Sequence, residues 1–451
     1  MPDSQPPPPR SSSSPSASPA GRPEPAALLL CGARLTDGRT VDVRLGRGRI
    51  EAVGTAGSLS VGPAGTPVAG RAGAPVVGPT GSPAADPAAG AGRGSRVDLR
   101  GYLLLPAPAE PHLHADTALS ADTDGPVSYA PDDVRRRATE AVLLHLGHGT
   151  TALRAHVRVG DEQGLGALAA VLEAGRSLEG LAELTTVAMP RVLTGRAGAE
   201  GLAMLRDAVR MGASVVGGCP DLDPDPTGYA EAVLALASEY GRPVDLHADA
   251  ADPALSARLA AMAGGLRPGV SLGPCAGLSA LPAEAAARTA DQLAAAGVTV
   301  VCLPQGGCGA VERRGTAPVR LLRAAGVRVA AGSGALRDVS NPVGRGDPLE
   351  AAYRLASRHG LRPEDAYDAV STSARAALGL PEVRVEAGFP ADLLAIRGDR
   401  LASALSLAYS RIVIHGGRVV ARTSAVREYC ASAEGRAAEP GLPRQGRGEL
   451  S

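Results

Sequence analysis

Apolar and polar residues alternate over short stretches near both ends of the chain, a pattern that is typical of β-strands. Asp37-Gly38 predicts a turn among the first stretches, and Gly416-Gly417 predicts a hairpin turn within the last. The predicted strands are residues 28–30, 42–45, 49–53, 96–99, 102–105, 391–396 and 411–420. Because they come from both ends, we predict a small composite β-sandwich in which residues 26–53 and 96–105 combine with 385–426.

Between these ends the pattern changes to a helix followed by a strand, repeated several times. The first helix is predicted to begin at Pro131 and has an apolar stripe that includes Val134, Ala138 and Val142. The further helix and strand pairs are 201–211 with 213–216, 231–240 with 244–247, 283–295 with 298–303, and 319–325 with 327–331. Such alternation is typical of parallel β/α units, and the number of repeats fits a closed barrel better than an open sheet. The predicted fold class is therefore α/β, with a (β/α)8 TIM-like barrel over residues 106–384.

Three segments have compositions that do not favour folding. Residues 1–25 are rich in Pro and Ser and are predicted to be a disordered tail, and residues 430–451 are predicted to be a second one. Residues 54–95 are rich in Pro, Gly and Ala. So long a segment without regular structure does not fit inside a compact domain, so we predict a disordered insertion between two strands.

The composition excludes several classes of function. Basic and acidic residues number 46 each, so no net charge attracts nucleic acid or an anionic membrane surface. Every basic residue is arginine, which excludes a Schiff-base lysine, a P-loop lysine and a carbamylated lysine between two metals. The 6 cysteines show no Cys-x-x-Cys spacing, and no apolar run is long enough for a signal peptide or a membrane span. We predict a cytoplasmic protein that has neither nucleic acid nor membrane as a partner.

The most informative motif follows the predicted strand 102–105 and reads Glu110-Pro111-His112-Leu113-His114. Side chains two residues apart on an extended segment point to the same side, so His112 and His114 can bind one ion from a strand end. Neutral imidazole is a common ligand for divalent zinc or iron. Taken alone, the pair is equally compatible with two exposed histidines at the end of a strand.

The order of these features resembles the amidohydrolase superfamily and, within it, cytosine deaminase and its relatives. The resemblance extends from about residue 28 to residue 426, and its motifs are residues 110–116, 154–157, 187–190, 215–217, 245–249, 312–315, 337–338 and 388–393. It implies a metal-dependent hydrolase of non-peptide C–N bonds in a cyclic or amidine-like small molecule.

The resemblance also implies one divalent metal, zinc or iron, at the mouth of the barrel. His112 and His114 match the ligand pair of the family, and His247 matches the third histidine ligand. The family has an aspartate as a further ligand, and Gly334 stands at that position. The implied ligand set is therefore three histidines.

Two further groups of the family's reaction centre are replaced as well, a glutamate that shuttles a proton and a histidine that orients the attacking hydroxide. Ala250 stands where the family has a glutamate, and Pro274 stands where it has a second histidine. Because such residues act as a unit, their loss implies impaired catalysis, and we assign no catalytic residue. The alternative is a catalytically inactive barrel that acts as a small-molecule binder or as a subunit partner of an active relative. A homo-oligomer is left open.

Other polar residues near the motifs have less specific interpretations. Arg191 stands where the family presents a glutamine to the substrate and could bind an anionic group, although a solvated or loop-bracing arginine explains it equally well. Asp116 and Asp249, each two residues after a histidine ligand, are predicted to brace those ligands. Asp338 is predicted to cap a loop, and Cys275 is predicted to be a buried, unreactive thiol.

Overall fold

The computed structural model describes residues 27–60, 95–122, 125–160, 164–307, 315–407 and 410–425. The two predicted disordered tails lie outside these ranges, as do Cys308, Cys430 and most of the motif 312–315. Most of the predicted insertion lies outside them too, but its ends are strand residues, because Gly54 and Ser95 belong to two strands of one sheet. The predicted boundaries of the insertion are therefore wrong by a few residues.

Strands and helices of the described ranges are numbered in chain order. The strands are β1 (Leu28–Arg34), β2 (Thr40–Gly46), β3 (Arg49–Thr55), β4 (Ser95–Asp98), β5 (Tyr102–Pro106), β6 (Ala109–Leu113), β7 (Ala152–Val159), β8 (Glu183–Pro190), β9 (Val215–Gly218), β10 (Val244–Ala248), β11 (Val270–Pro274), β12 (Thr299–Cys302), β13 (Arg328–Ala331), β14 (Leu393–Arg397), β15 (Arg411–His415) and β16 (Arg418–Thr423). The helices are α1 (Pro131–Gly147), α2 (Gly166–Ser177), α3 (Gly195–Met211), α4 (Pro226–Tyr240), α5 (Pro253–Ala263), α6 (Ala283–Ala295), α7 (Val319–Ala324), α8 (Pro348–His359), α9 (Pro363–Val370), α10 (Thr372–Ala377) and α11 (Leu401–Leu407).

The central element is a sheet of eight parallel strands that runs in chain order from β6 to β13. Its first and last strands meet, because the backbone N–H of Gly334, just after β13, donates to the carbonyl oxygen of His112 at 3.1 Å. Leu113 and Gly334 form a parallel bridge at the same place. The predicted (β/α)8 TIM-like barrel is confirmed.

The helices between the strands pack on the outside of the barrel through apolar stripes. In α1 the predicted stripe is buried, since Val134, Ala138 and Val142 are fully inaccessible to solvent. Five helices that the sequence analysis did not predict complete this layer; they are α2, α5, α8, α9 and α10. None of the helices in the described ranges has the length and apolar character of a membrane span.

The second sheet contains strands from both ends of the chain, as predicted. Its order is β16-β15-β14-β5-β1-β2-β3, and β4 pairs with β1 in parallel. Arg411 on β15 connects this sheet to the barrel layer through two hydrogen bonds to the carboxylate of Asp347, at 2.9 and 2.7 Å. Asp347 also caps the N-terminus of α8 by accepting from the N–H of Leu349. The small sheet is thus held against the helices of the barrel.

Candidate metal centre

Three histidines converge at the end of the barrel where the strands have their C-termini. His112 is the last residue but one of β6, His114 lies just beyond the end of this strand, and His247 lies on β10. Ligand-capable nitrogen atoms of the three side chains all lie within 4.8 Å of one another. His112 and His114 are buried, while His247 is partly exposed. The predicted ligand set is therefore brought together on one site that opens to solvent on the side of His247.

The surroundings of these imidazoles favour their neutral form. Burial lowers the pKa of His112 and of His114 well below the usual range, and the positive charge of neighbouring groups lowers both further. Burial likewise lowers the pKa of His247 to about 4. Neutral imidazole is the form that binds metal ions, and Nε2 of His114 is buried without a hydrogen-bond partner among the described residues. The three side chains fit a divalent cation.

Glu110 fixes the backbone that carries this site. One of its carboxylate oxygens accepts from the N–H of His112 at 2.9 Å, and the other accepts from the N–H of Ser333 at 2.9 Å. Burial raises the pKa of Glu110 to about 7. A Cβ at Gly332 would lie only 2.4 Å from the carboxylate, so the close approach of the turn after β13 requires glycine there. Glu110 therefore ties the histidine strand to the turn that closes the barrel.

A buried ion pair lies deeper in the barrel, below the histidines. Nη1 of Arg154 on β7 donates to Oδ2 of Asp245 on β10 at 2.7 Å, and both side chains are essentially inaccessible. Because β7 and β10 are not neighbours in the sheet, this contact crosses the lumen. Burial by itself raises the pKa of Asp245, but His156 and Arg154 outweigh it and hold the pKa below the usual range. The sequence analysis did not predict this pair.

His156 occupies the layer between the ion pair and the metal centre. Its ring stacks on that of His112 with 4.0 Å between centroids, and its Nε2 lies 3.2 Å from Oδ1 of Asp245. His112, His156 and Asp245 thus form a second group with ligand atoms within 4.8 Å of one another. Because the carboxylate of Asp245 already pairs with Arg154, we assign the metal to the three-histidine group instead.

The three positions that replace family residues lie around the same rim. Ala250 follows β10, Pro274 ends β11 and Gly334 follows β13. Gly334 has a φ of +74°, and a Cβ there would lie 3.1 Å from both the carbonyl oxygen of Gly306 and Cδ1 of Leu303. Ala250 also has a positive φ, of 56°. The backbone conformation at Gly334 thus disfavours any side chain, whereas Ala250 already places a Cβ in the left-handed region.

The carboxylates nearest to the site have bracing contacts. Asp249 Oδ1 accepts from the N–H of Gly277 at 2.9 Å. Asp116 is buried, and its Oδ2 accepts from the N–H of Arg158 at 3.4 Å. These contacts hold the backbone of two segments beside the site, and the bracing of the histidines themselves stays a prediction.

Two further interpretations of single residues can be compared with the structure. Asp338 Oδ1 accepts from the N–H of Ser340 at 2.8 Å and its Oδ2 accepts from the hydroxyl of Thr117 at 2.9 Å, so it caps the loop as predicted. Cys275 is buried, and burial raises the pKa of its thiol well above the usual range, which agrees with an unreactive thiol.

Arg191 is exposed in the loop that follows β8, at the same rim as the histidines. The loop is held by Asp223, whose Oδ2 accepts from the N–H of Leu193 at 2.8 Å and from that of Thr194 at 3.3 Å. Tyr229 donates its hydroxyl to the carbonyl oxygen of Pro190 on the other side of Arg191. The backbone that carries Arg191 is therefore fixed at both sides.

Comparison with known proteins gives consistent results. A pterin deaminase from Rhizobium rhizogenes is 29% identical over 364 residues, which cover 73% of this chain and 83% of that protein. The solved structure of N-isopropylammelide isopropylaminohydrolase from Burkholderia multivorans has a TM-score of 0.72 and 25% identity, and the match covers 89% of this chain and 100% of that one. A 5-methylcytosine deaminase from Klebsiella pneumoniae has the same fold, with a TM-score of 0.73, 23% identity and coverage of 90% and 99%.

The family model described as the amidohydrolase family matches residues 129–421, which is more than half of the chain. These residues contain the barrel strands from β7 onwards, with His247, and three strands of the second sheet. The sequence resemblance to this superfamily is confirmed, and the chain belongs to the amidohydrolase family.

Proposed function

We propose that the protein is a metal-dependent hydrolase of a non-peptide C–N bond in a cyclic or amidine-like small molecule, with slower catalysis than its relatives. The observation that carries the proposal is the convergence of His112, His114 and His247 as neutral imidazoles at the open end of the barrel. Family membership and a relative named as a pterin deaminase support a reaction at a C–N bond.

Each group of the site has a distinct task in this proposal. His112, His114 and His247 would hold zinc or iron, the two metals that suit an imidazole set best here. A divalent metal, when bound, activates water near neutral pH and polarises the bond to be broken. Glu110 keeps the strand of the ligand pair in register with the closing turn. Arg191, at the rim, would bind an anionic group of the substrate.

Slow catalysis follows from the three replaced positions. Ala250 has no group that could carry a proton, Pro274 has no basic side-chain nitrogen, and Gly334 has no carboxylate. The nearby Asp116 and Asp249 have bracing contacts instead. A positioned acid or base typically contributes on the order of 10²- to 10⁴-fold to the rate, so we propose turnover that is reduced by at least that range.

The inactive binder considered from the sequence has less support than an enzyme. The relatives named above are a deaminase, an aminohydrolase and a second deaminase, and these names outweigh the three replaced positions, which by themselves would favour a binder.

The test combines metal analysis with an ammonia assay. We expect about one equivalent of zinc or iron per chain, as in single-metal sites, and slow ammonia release from at least one amino-substituted ring of a panel that includes pterin and 5-methylcytosine. His114→Ala and His247→Ala should lose both the metal and the activity, while the matched control His359→Ala, on α8, should keep both. Absence of metal, or metal without ammonia release from any panel member, would contradict the proposal.

A further inference from the structure

Arg158 lies at the open end of a row of side chains along β7. Leu153, Ala155, Val157 and Val159 of this strand belong to the core that the barrel shares with its helices. The residues between them point into the lumen, because Arg154 contacts Asp245 across it and His156 stacks on His112. Arg158 is the next residue of the lumen side, and its side chain is exposed. Its guanidinium is therefore at the mouth, one layer above the imidazoles.

The charge of Arg158 faces the metal centre. The side chain of Arg158 forms no salt bridge among the described residues, and the buried carboxylate of Asp116 accepts through Oδ2 from the backbone N–H of Arg158 at 3.4 Å. His156 stands two residues before Arg158 on the same side of β7. Its ring lies 4.0 Å from that of His112 and 5.7 Å from that of His114, measured between centroids. Arg158 therefore follows directly on the layer that contacts two of the three candidate ligands. The mouth thus has an accessible cation next to the site where a substrate would react.

A second guanidinium lies in the same sector of the rim. Arg158 is in register with Met189 on the neighbouring strand β8, and Arg191 follows Met189 by two residues. Met189 and Val187 form a small cluster with Val215 of the next strand, which places alternate residues of β8 on the lumen side. Arg191 has other contacts of its own, so we assign the main role to Arg158.

We propose that Arg158, assisted by Arg191, binds a carboxylate on the substrate ring, so that the substrates of this enzyme are anionic ring compounds. A guanidinium presents donors that match both oxygens of a carboxylate, and such charge-assisted hydrogen bonds are stronger than neutral ones. Ala250 and Gly334 stand where the resemblance predicts acidic residues. The lack of charge at both positions also favours an anionic substrate, because fewer negative charges repel it. The inference rests on the proposed function, since the carboxylate belongs to the substrate of that same site.

The test measures binding with ring pairs that differ in one carboxylate. Metal-loaded protein is titrated calorimetrically with cytosine and 5-carboxycytosine, and with pterin and pterin-6-carboxylate. In at least one pair the carboxylated member should bind about tenfold more tightly or better, and the preference should decrease with added salt. Arg158→Gln should abolish the preference, Arg158→Lys should retain part of it, and Arg136→Gln, an exposed residue on the outer face of α1, should leave it unchanged.

The outcomes separate this inference from the proposed function. Equal binding within both pairs, no binding of any member, or a preference that survives in Arg158→Gln would overturn the inference. Carboxylated rings that bind through Arg158 but are never hydrolysed would contradict the proposed function and leave the inference standing. Hydrolysis of neutral rings without any preference for the carboxylated members would overturn the inference and leave the proposed function standing. Because Arg158→Lys keeps the charge and nearly the size, it tests the inference even if Arg158→Gln does not fold.

Discussion

Two groups of barrel strands end at the same rim but differ in chemistry, and we call each group a wall. The first, charged wall consists of β6 and β7 together with β10 across the lumen, and it carries ionisable groups on its lumen side, among them His112, His156 and Asp245. The wall of β11, β12 and β13 presents Pro274, Leu303 and other apolar or small groups. The candidate metal ligands all belong to the first wall, whereas two of the three replaced family positions belong to the second. The difference separates the three histidines from Pro274 and Gly334, so the histidine ligands and these two positions can be changed independently.

The largest effect should come from the buried ion pair of the charged wall. Asp245→Asn leaves the guanidinium of Arg154 buried without its counter-charge, and we expect a loss of about 3–5 kcal/mol in the free energy of unfolding. The double variant Arg154→Met with Asp245→Leu should recover most of that loss, because neither charge remains. Urea unfolding of the metal-free protein at neutral pH measures both.

The control for this comparison is the exposed pair of Arg136 and Glu140 on α1, where Glu140→Gln should change the free energy of unfolding by roughly 0–1 kcal/mol. If Asp245→Asn cost no more than Glu140→Gln, the charged wall would not depend on this ion pair.

A smaller effect, which depends on pH, should come from His145 on α1, behind the same wall. Burial lowers the pKa of His145 to about 3 from an ordinary value of 6.5. A group with a depressed pKa in the folded state contributes stability above its unfolded pKa, and that stability is lost as the pH falls towards the folded value. The stability advantage of the wild type over His145→Asn should therefore shrink by about 2 kcal/mol between pH 7 and pH 5.

Unfolding of both proteins by urea at the two pH values measures this change. Because the carboxylate of Glu110 lies 3.9 Å from Nδ1 of His145 and has a pKa of about 7, both proteins are compared in a Glu110→Gln background, which removes its titration from the difference. If the free energy of unfolding of the wild type exceeded that of His145→Asn by the same amount at both pH values, His145 would be protonated in the folded state without penalty. This layer of the charged wall would then be hydrated.

The smallest effect on stability should come from the apolar wall, at Gly334. An aspartate there would restore the missing family carboxylate, but it must adopt a φ of +74° and press on Leu303. We expect Gly334→Asp and its uncharged control Gly334→Asn to lose about 1–3 kcal/mol each. Only the aspartate should raise the affinity for zinc, measured by competition with a chelator, and adding Ala250→Glu should raise ammonia release. Equal zinc affinity of the two variants would show that the carboxylate does not reach the metal.

Some helices were predicted from the sequence and others were not, and α1 and α5 illustrate one cause of the difference. The stripe of α1 stands out because Arg and Glu separate its apolar positions, whereas α5 contains mostly Ala and Leu, which weakens any periodicity. The N-termini of α5 and α8 were marked by a capping signal in the sequence. Asp252-Pro253 and Asp347-Pro348 each place a capping aspartate before a proline at the first helical position, and both carboxylates accept from the backbone as expected for such caps.

The candidate site shows a similar division. The three histidines and the replaced positions could be predicted because they stand in short, ordered motifs. Arg158 could have been found as well, since Arg154, His156 and Arg158 alternate with apolar residues along one strand. The contact between Arg154 and Asp245 could not, because it joins residues 91 positions apart across the lumen, and only the closure of the ring determines which strands face each other.

The hydrogen bond from Gly334 to His112 joins the first and last strands of the barrel at a candidate metal ligand. A bound ion that fixes the imidazole of His112 would therefore also restrain the junction between β6 and β13. Metal affinity and the stability of the whole fold are then linked by mass action. At a saturating concentration of the cation, a gain in its binding free energy raises the free energy of unfolding by the same amount.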